Sequence, residues 1–361
     1  MDLASDRIVR DASLPEDFLG QHQEYLKLFR RLLTENLGAT DERILILNDK
    51  GEPGRRIAPM LNALYAKAAE EMGFAVTVAT QLVKTRGDTA AKHVLKALDA
   101  HPDGNLILLN VSGRLGNMDT LGKSYRTFCK ERQHRFFSSS NWHLIPETRF
   151  SEVLQAFAAD YRKISKEGAA LKERLDAAEH VRITTPAGTD VTFHTRGMTA
   201  INNDGFYREQ GMGGNMPAGE VYIPPMKRGV DGRIVIDGSY RTKDASLIPQ
   251  EPIVIDVERG DMVRLNDSPE AKALEQTLRW AESRAKYPWG IRRVCELGIG
   301  LNPGAKLIGC TILDEKVRGT VHFAHGSNKW FGGDVSAIIH LDHVLKNPRV
   351  FIDGEEWVLP E

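Results

Sequence analysis

The chain has 361 residues, of which 41% are hydrophobic and 27% charged, a composition typical of globular proteins that leaves room for two domains. Its 48 Lys and Arg residues nearly balance its 49 Asp and Glu residues, so no overall basic charge attracts nucleic acid, and we expect no nucleic-acid partner. The three cysteines form no C-x-x-C pair, which argues against a disulfide framework or a thiolate zinc site.

The N-terminal segment, MDLASDRIVRDASLPEDF, is polar and acidic and lacks the apolar core of a signal peptide. No part of the sequence approaches the roughly 20 consecutive apolar residues that a membrane-spanning helix requires. We therefore expect a cytoplasmic protein that has no membrane partner.

The N-terminal half alternates predicted helices with short apolar runs. Apolar residues recur every three to four positions over 14–37, which is the spacing of an amphipathic helix. Further along, the pattern predicts strands at 43–48, 75–80 and 105–110, and helices at 56–72, 89–100 and 150–178. Buried strands that alternate with helices favour a mostly parallel sheet covered on both faces. We therefore predict a doubly wound α/β domain over residues 1–178.

The pattern changes after His180, where short β-type runs are separated by Gly, Pro, Asn and Asp. Three dipeptides between such runs have the turn chemistry of hairpins: Ala187-Gly188, Arg259-Gly260 and Asp353-Gly354. One helix is predicted in this half, at 269–285. We therefore predict an α+β domain with mostly antiparallel strands over residues 179–361.

Candidate metal ligands are concentrated between Glu296 and Asp342. His340 and Asp342 follow the apolar run at 335–339 and are two residues apart, so on a strand both side chains project from the same face. Imidazole and carboxylate together suit zinc, cobalt, manganese or ferrous iron. Taken alone, such a pair more often belongs to a surface strand that carries two polar residues.

Three further residues lie in informative surroundings. His322 lies within the run TVHFA, and Glu296 lies within the apolar run VCELGIG. A carboxylate in such a run is costly to bury unless it is paired, protonated or bound to metal, and the alternative for Glu296 is an ion pair with Arg292 or Arg293. Glu220 follows the glycine-rich segment GMGGNMPAG, which would either let a substrate approach the backbone or form a flexible turn.

Five strings, in order along the chain, resemble the motifs of the thermophilic metallo-aminopeptidases, aminopeptidases T and S: PAGTDVTF, NMPAGEVYIPP, ELGIGLNP, LDEKVRGTVHFAHG and HLDH. The resemblance extends from about residue 182 to the C-terminus, and the N-terminal half matches mainly in its α/β pattern. It implies a metal-dependent aminopeptidase that hydrolyses an N-terminal peptide bond or a related amide bond of a small substrate. It also implies a homodimer.

Position by position, the resemblance implies a metal centre of three carboxylates and two imidazoles: Glu220, Glu296, His322, His340 and Asp342. Such a set would hold two divalent ions (zinc, cobalt or manganese) and a water between them whose pKa is lowered. The resemblance gives Glu220 and Glu296 catalytic roles as well. His325 and His343 lie close by in the sequence, and we expect them to face solvent or else to support the ligands.

The chain departs from the aminopeptidases in one motif, and a second family offers an alternative. The aminopeptidases have a tyrosine shortly after the histidine of the TVHFA motif, where this chain has GSNKW at 326–330. A more distant resemblance is to the 2,5-dihydroxypyridine dioxygenases, mononuclear Fe(II) enzymes that have histidine at the position of Glu296 and no carboxylate at that of Glu220. Ring cleavage on one Fe(II) ion is therefore the alternative activity. A catalytically inert binding protein of the same fold is another.

Three other polar segments are predicted to carry no chemistry. The segment 51–56 (GEPGRR) precedes a helix but matches no nucleotide-binding motif. We expect 130–135 (KERQHR) to form a solvent-exposed face and 138–140 (SSS) to lie in a loop.

Overall fold

The computed structural model describes residues 14–122 and 124–359, and the chain divides into two compact units. Unit 1 comprises Met1–Ala158 and Gly205–Pro217, and unit 2 comprises Ala159–Asp204 and Ala218–Glu361. The N-terminal residues 1–13, which include most of the segment without a signal-peptide pattern, lie outside the described part of the chain.

The structure has the following helices and strands. The helices are α1 (Phe18–Gln21), α2 (Leu26–Arg31), α3 (Ile57–Glu71), α4 (Lys92–Ala100), α5 (Tyr125–Glu131), α6 (Phe150–Phe157), α7 (Tyr161–Ala177), α8 (Pro269–Glu282) and α9 (Thr311–Asp314). The strands are β1 (Ile44–Asp49), β2 (Val76–Gln81), β3 (Leu106–Asn110), β4 (Arg135–Ser139), β5 (His180–Thr184), β6 (Asp190–His194), β7 (Ile201–Asn203), β8 (Gly213–Asn215), β9 (Glu220–Ile223), β10 (Val230–Ile236), β11 (Tyr240–Arg241), β12 (Ser246–Leu247), β13 (Ile253–Glu258), β14 (Asp261–Leu265), β15 (Val294–Gly300), β16 (Val321–Gly326), β17 (His340–Leu345), β18 (Arg349–Ile352) and β19 (Glu355–Trp357). None of the described helices combines the length and the apolar character that crossing a membrane requires.

Unit 1 is built on a five-stranded sheet in the order β2-β1-β3-β4-β8, in which every pair of neighbouring strands is parallel. All residues of β1 and β3 are buried, as expected for central strands that are covered on both faces. The predicted parallel α/β fold is therefore confirmed.

Unit 1 also contains strands that the sequence pattern did not reveal. The strand β8 is formed by the glycine-rich segment before Glu220. It pairs with β4, so the chain returns to unit 1 at this point. Because β8 is short and rich in glycine, it offers no alternating pattern of apolar residues from which a strand could be predicted.

The helix α7 lies in unit 2, although the predicted division between 178 and 179 placed this helix with the first domain.

The predicted helix at 150–178 is two helices in the structure. Asp160 begins α7 as its N-cap, and its carboxylate accepts hydrogen bonds from the backbone amides of Arg162 and Lys163. Likewise, the predicted helix at 14–37 is interrupted, because a short 3-10 turn separates α1 from α2 and a π-helical turn follows at Leu32–Asn36.

The segment at 130–140 differs from its prediction. β4 includes two of the three serines expected in a loop, and His134 and Arg135 are buried although they belong to a segment expected to face solvent. The guanidinium of Arg135 donates to the carbonyls of Leu37 (2.8 Å) and Gly38 (2.7 Å) and pairs with Glu42. These distant partners satisfy the buried charge, which is why the local sequence gave no indication of its burial.

Unit 2 contains antiparallel sheets. The larger has the order β14-β13-β10-β6-β5-β18-β19, and the second has the order β17-β16-β15-β9-β7. The three predicted hairpin turns join β5 to β6, β13 to β14, and β18 to β19. The predicted α+β character is therefore confirmed, and the second sheet carries the candidate site.

Candidate metal centre

The second sheet of unit 2 positions all five predicted ligands. Glu220 begins β9, Glu296 lies on β15, His322 on β16, and His340 and Asp342 on β17. In the register of the sheet, Glu296 lies beside Ala324, which in turn lies beside Asp342, and Glu220 pairs with Gly300 of β15. Because alternate residues of a strand project from one face, His340 and Asp342 point the same way.

The side-chain atoms of the five predicted ligands approach one another closely. Nε2 of His340 lies 3.0 Å from Oδ1 of Asp342 and 3.3 Å from Oε2 of Glu296. Nε2 of His322 lies 3.4 Å from Oε1 of Glu296 and 3.6 Å from Oε2 of Glu220. One ligand atom from each of Glu296, His340 and Asp342 lies within 4.8 Å of the other two. The structure thus brings the five side chains together, and it groups three of them tightly enough to hold a metal ion.

The arrangement excludes the alternative partners proposed for Glu296. Arg292 forms ion pairs with Glu275 (2.8 Å) and Glu282 (2.6 Å). Arg293 pairs with Asp261 at 2.9 Å. Glu296 is nevertheless buried, and the groups beside its oxygens are the imidazoles of His322 and His340.

The chemistry of this cluster fits a divalent cation. Glu220, Glu296 and Asp342 are buried carboxylates, and buried charges normally require a counter-ion or a metal. His322 is fully buried, and no atom in the described part of the chain makes a well-formed hydrogen bond to either of its ring nitrogens. An imidazole nitrogen without a partner, next to carboxylate oxygens, is the kind of donor that a transition metal binds.

Without a metal, the carboxylates of the cluster favour protonated imidazoles. Burial by itself lowers the pKa of His322, but the Glu296 and Glu220 carboxylates outweigh it and raise this pKa to about 9. For His340, the Asp342 carboxylate likewise outweighs burial and holds the pKa well above its usual value. Burial raises the pKa of Glu296, whereas the neighbouring His340 overcomes the effect of burial on Asp342 and keeps the pKa of that carboxyl low. A metal would therefore have to displace protons from both histidines.

A buried lysine adjoins the cluster and was not identified from the sequence. Lys316 is fully buried, and its ammonium donates to Oε1 of Glu220 at 2.6 Å and to the Glu315 carboxylate. Asn203 donates to the same oxygen of Glu220 at 2.8 Å. Although burial lowers the pKa of Lys316, the two carboxylates raise it above its usual value, and burial raises the pKa of Glu315 to about 7. The Asp-Glu-Lys triplet within LDEKVRGTVHFAHG was the available signal.

The expectation that His325 and His343 face solvent is wrong, since both are fully buried. Their rings stack at a centroid distance of 5.1 Å. Nδ1 of His325 lies 2.8 Å from the Ile291 carbonyl oxygen, and Nδ1 of His343 accepts a hydrogen bond from the Arg241 amide at 3.3 Å. Burial lowers the pKa of His325 to about 4 and that of His343 well below its usual value. Both rings are therefore neutral packing elements at pH 7.

Comparison with known proteins identifies relatives of two kinds. The model of the family described as NicX: 2,5-dihydroxypyridine 5,6-dioxygenase matches residues 139–360. Among curated proteins, the 2,5-dihydroxypyridine 5,6-dioxygenase of Pseudomonas putida is 22% identical over 199 residues. That alignment covers 53% of this chain and 55% of the relative, so the match spans about half the length of the relative.

Solved structures share the fold over nearly the whole chain. The 2,5-dihydroxypyridine dioxygenase of Pseudomonas putida superposes with a TM-score of 0.69 at 16% identity, covering 93% of this chain and 96% of that one. AmpT from Thermus thermophilus superposes with a TM-score of 0.64 at 17% identity, covering 93% and 97%. The resemblance to the aminopeptidases is thus supported at the level of the fold, and the resemblance to the dioxygenases is supported by sequence as well. The family model matches more than half of the residues of this chain, and the chain therefore belongs to the NicX family, described as 2,5-dihydroxypyridine 5,6-dioxygenase.

Proposed function

We propose that this chain is a metal-dependent hydrolase that cleaves the bond after the N-terminal residue of a small peptide, or a related amide bond, with a metal-activated water. The observation that carries the proposal is the position of Glu296, a buried carboxylate between His322 and His340. Fe(II) oxygenases typically use two histidines and one carboxylate with open coordination positions. Here the tightest group of donors has two carboxylates and one imidazole, Glu296, Asp342 and His340.

We propose that the five predicted ligands would hold two divalent ions of zinc, cobalt or manganese. When bound, such ions lower the pKa of a water molecule and polarise the scissile carbonyl. The protein supplies a buried anionic site for these ions. In this site the Oε2 atom of Glu220 points toward His322. Lys316 and Asn203 fix the other oxygen of Glu220, which limits the rotation of that carboxylate.

Ring cleavage by a single Fe(II) ion is the second candidate, and two observations favour it. The family match carries the name of a dioxygenase, and Glu296, His340 and Asp342 form a group that can hold one ion. The two candidates differ in what they consume, because only ring cleavage takes up oxygen. They also differ in the metal that each requires.

The test measures both reactions on one preparation. The purified chain is stripped with a chelator and then loaded with zinc, cobalt, manganese or Fe(II). Amine release from aminoacyl anilides and dipeptides is measured beside oxygen uptake with hydroxylated pyridines. We expect amide cleavage that chelation abolishes and that zinc, cobalt or manganese restores. Oxygen uptake without amide cleavage would establish the second candidate, and an absence of metal binding would favour an inert binding protein.

A further inference from the structure

The loop between β16 and β17 holds an exposed tryptophan beside the metal centre. Asn328, which is buried, fixes this loop by donating to the Cys295 carbonyl at 2.9 Å and accepting from the Val335 amide at 2.8 Å. Its own carbonyl accepts a hydrogen bond from the amide of Phe331 at 3.2 Å. Trp330 therefore sits on backbone that is tied at both ends to the core of the sheet.

Three aromatic side chains contact one another next to the ligands, and we call Tyr222, Trp330 and Phe331 the aromatic wall. The Trp330 ring lies 4.7 Å from the His340 ring at 69° and 5.1 Å from the Phe331 ring at 65°. Phe331 in turn lies 5.2 Å from Tyr222 at 81°. Tyr222 is two residues after Glu220 on β9, so its side chain projects from the face that carries the ligands.

Within the wall, Trp330 is the side chain most exposed to solvent. It is 59% exposed, whereas Phe331 is 5% exposed and packs beneath it. Covering a large aromatic surface with a ligand removes it from water, which lowers the free energy and favours binding. Because the loop is already fixed by Asn328, little conformational entropy is lost when a ligand binds.

We propose that Trp330 is a specificity-determining residue that packs against a planar aromatic group of the substrate, so that the enzyme prefers an aromatic side chain on the N-terminal residue. This inference rests on the proposed hydrolase function. A free aromatic ring, such as a hydroxylated pyridine, would contact Trp330 through the same chemistry. The experiment therefore includes both kinds of ligand.

The kinetic test compares phenylalanyl and leucyl anilides on the metal-loaded enzyme. We expect Trp330→Ala to raise KM for the phenylalanyl substrate about tenfold, the scale of one lost aromatic contact, with kcat nearly unchanged. KM for the leucyl substrate should change less than about twofold, and Trp330→Phe should restore most of the preference. Tyr287→Ala is the matched control, because Tyr287 is also an aromatic residue about half-exposed but lies outside the aromatic wall. It should leave both substrates unaffected.

The binding test needs no turnover. Calorimetry on the metal-free chain compares phenylalaninamide, leucinamide and a dihydroxypyridine, each with wild type and with Trp330→Ala. Tighter binding of phenylalaninamide than of leucinamide, with the difference lost in the variant, would support the inference. Equal binding of the two amides, or a difference that survives in Trp330→Ala, would overturn it. If only the binding of the dihydroxypyridine weakened in Trp330→Ala, that result would also overturn the inference and would favour ring cleavage.

The two proposals fail in distinguishable ways. If wild type cleaves neither anilide with any metal, the proposed hydrolase function is contradicted. If it cleaves leucyl and phenylalanyl anilides and Trp330→Ala changes neither KM, only the role of Trp330 is contradicted.

Discussion

Glu296 and His322 lie on neighbouring strands, with Oε1 of the carboxylate 3.4 Å from Nε2 of the imidazole. The residue paired with His322 on β15 is Gly298, and a Cβ atom at Gly298 would collide with the His322 ring. The glycine therefore creates the space through which an imidazole of one strand reaches a carboxylate of the next.

Gly298→Ala tests this relationship. The added methyl group must displace the His322 ring, so we expect metal affinity to fall at least tenfold and the free energy of unfolding to fall by about 1–3 kcal/mol. Calorimetric titration with zinc and denaturant unfolding measure the two quantities. Gly20→Ala is the control, since a Cβ there meets nothing within 4 Å. Unchanged zinc binding by Gly298→Ala would mean that His322 is no ligand.

Glu296→Gln keeps the shape of the side chain but removes its charge. We expect weaker metal binding and a loss of turnover of roughly two orders of magnitude or more, because a neutral amide offsets less of the metal charge. Glu296→His should recover no amide hydrolysis, since a neutral imidazole cannot bridge two metals as a carboxylate can and carries no charge to offset theirs. Metal content and amine release are the measurements. Glu258→Gln, an exposed position on the other sheet, serves as the control.

Lys316→Met removes the cation that lies against Glu220 and Glu315. Breaking a buried ion pair leaves an uncompensated charge, so we expect a loss of about 3–5 kcal/mol in the free energy of unfolding of the metal-free chain. Added zinc should recover part of this stability because it neutralises Glu220. The exposed Lys306→Met is the control. A variant as stable as wild type would contradict a stabilising role for the ion pairs of Lys316 with Glu220 and Glu315.

The stability of the metal-free chain should fall as pH rises from about 6.5 to about 9. The pKa of His322 is 6.5 when unperturbed and about 9 in the fold, because its carboxylate neighbours favour the protonated ring. The stabilisation is therefore complete below pH 6.5 and is lost as pH rises through 9. Unfolding midpoints across this range measure the effect. In His322→Gln the midpoint should change less with pH. A wild-type midpoint that rises over the same interval would contradict the raised pKa of His322.

Much of the fold and of the candidate site could be predicted because both depend on local patterns. Buried runs such as β1 and β3 are apolar except at their last one or two residues, and hairpin turns require residues that tolerate left-handed backbone, as Gly260 and Asp353 show. His340 and Asp342 were expected to share a face because residues i and i+2 of a strand always do.

Other features were decided only by the tertiary structure, because they depend on partners far away in the sequence. Lys316 is buried since Glu220, 96 positions earlier, accepts its hydrogen bond. His325 is buried because β17 places His343 against its ring, although polar residues near a site usually face solvent. The sequence by itself determined which side chains offer carboxylate and imidazole donors. The pairing of β9, β15, β16 and β17 decided that these residues meet, because only hydrogen bonding between distant strands brings their side chains to one face.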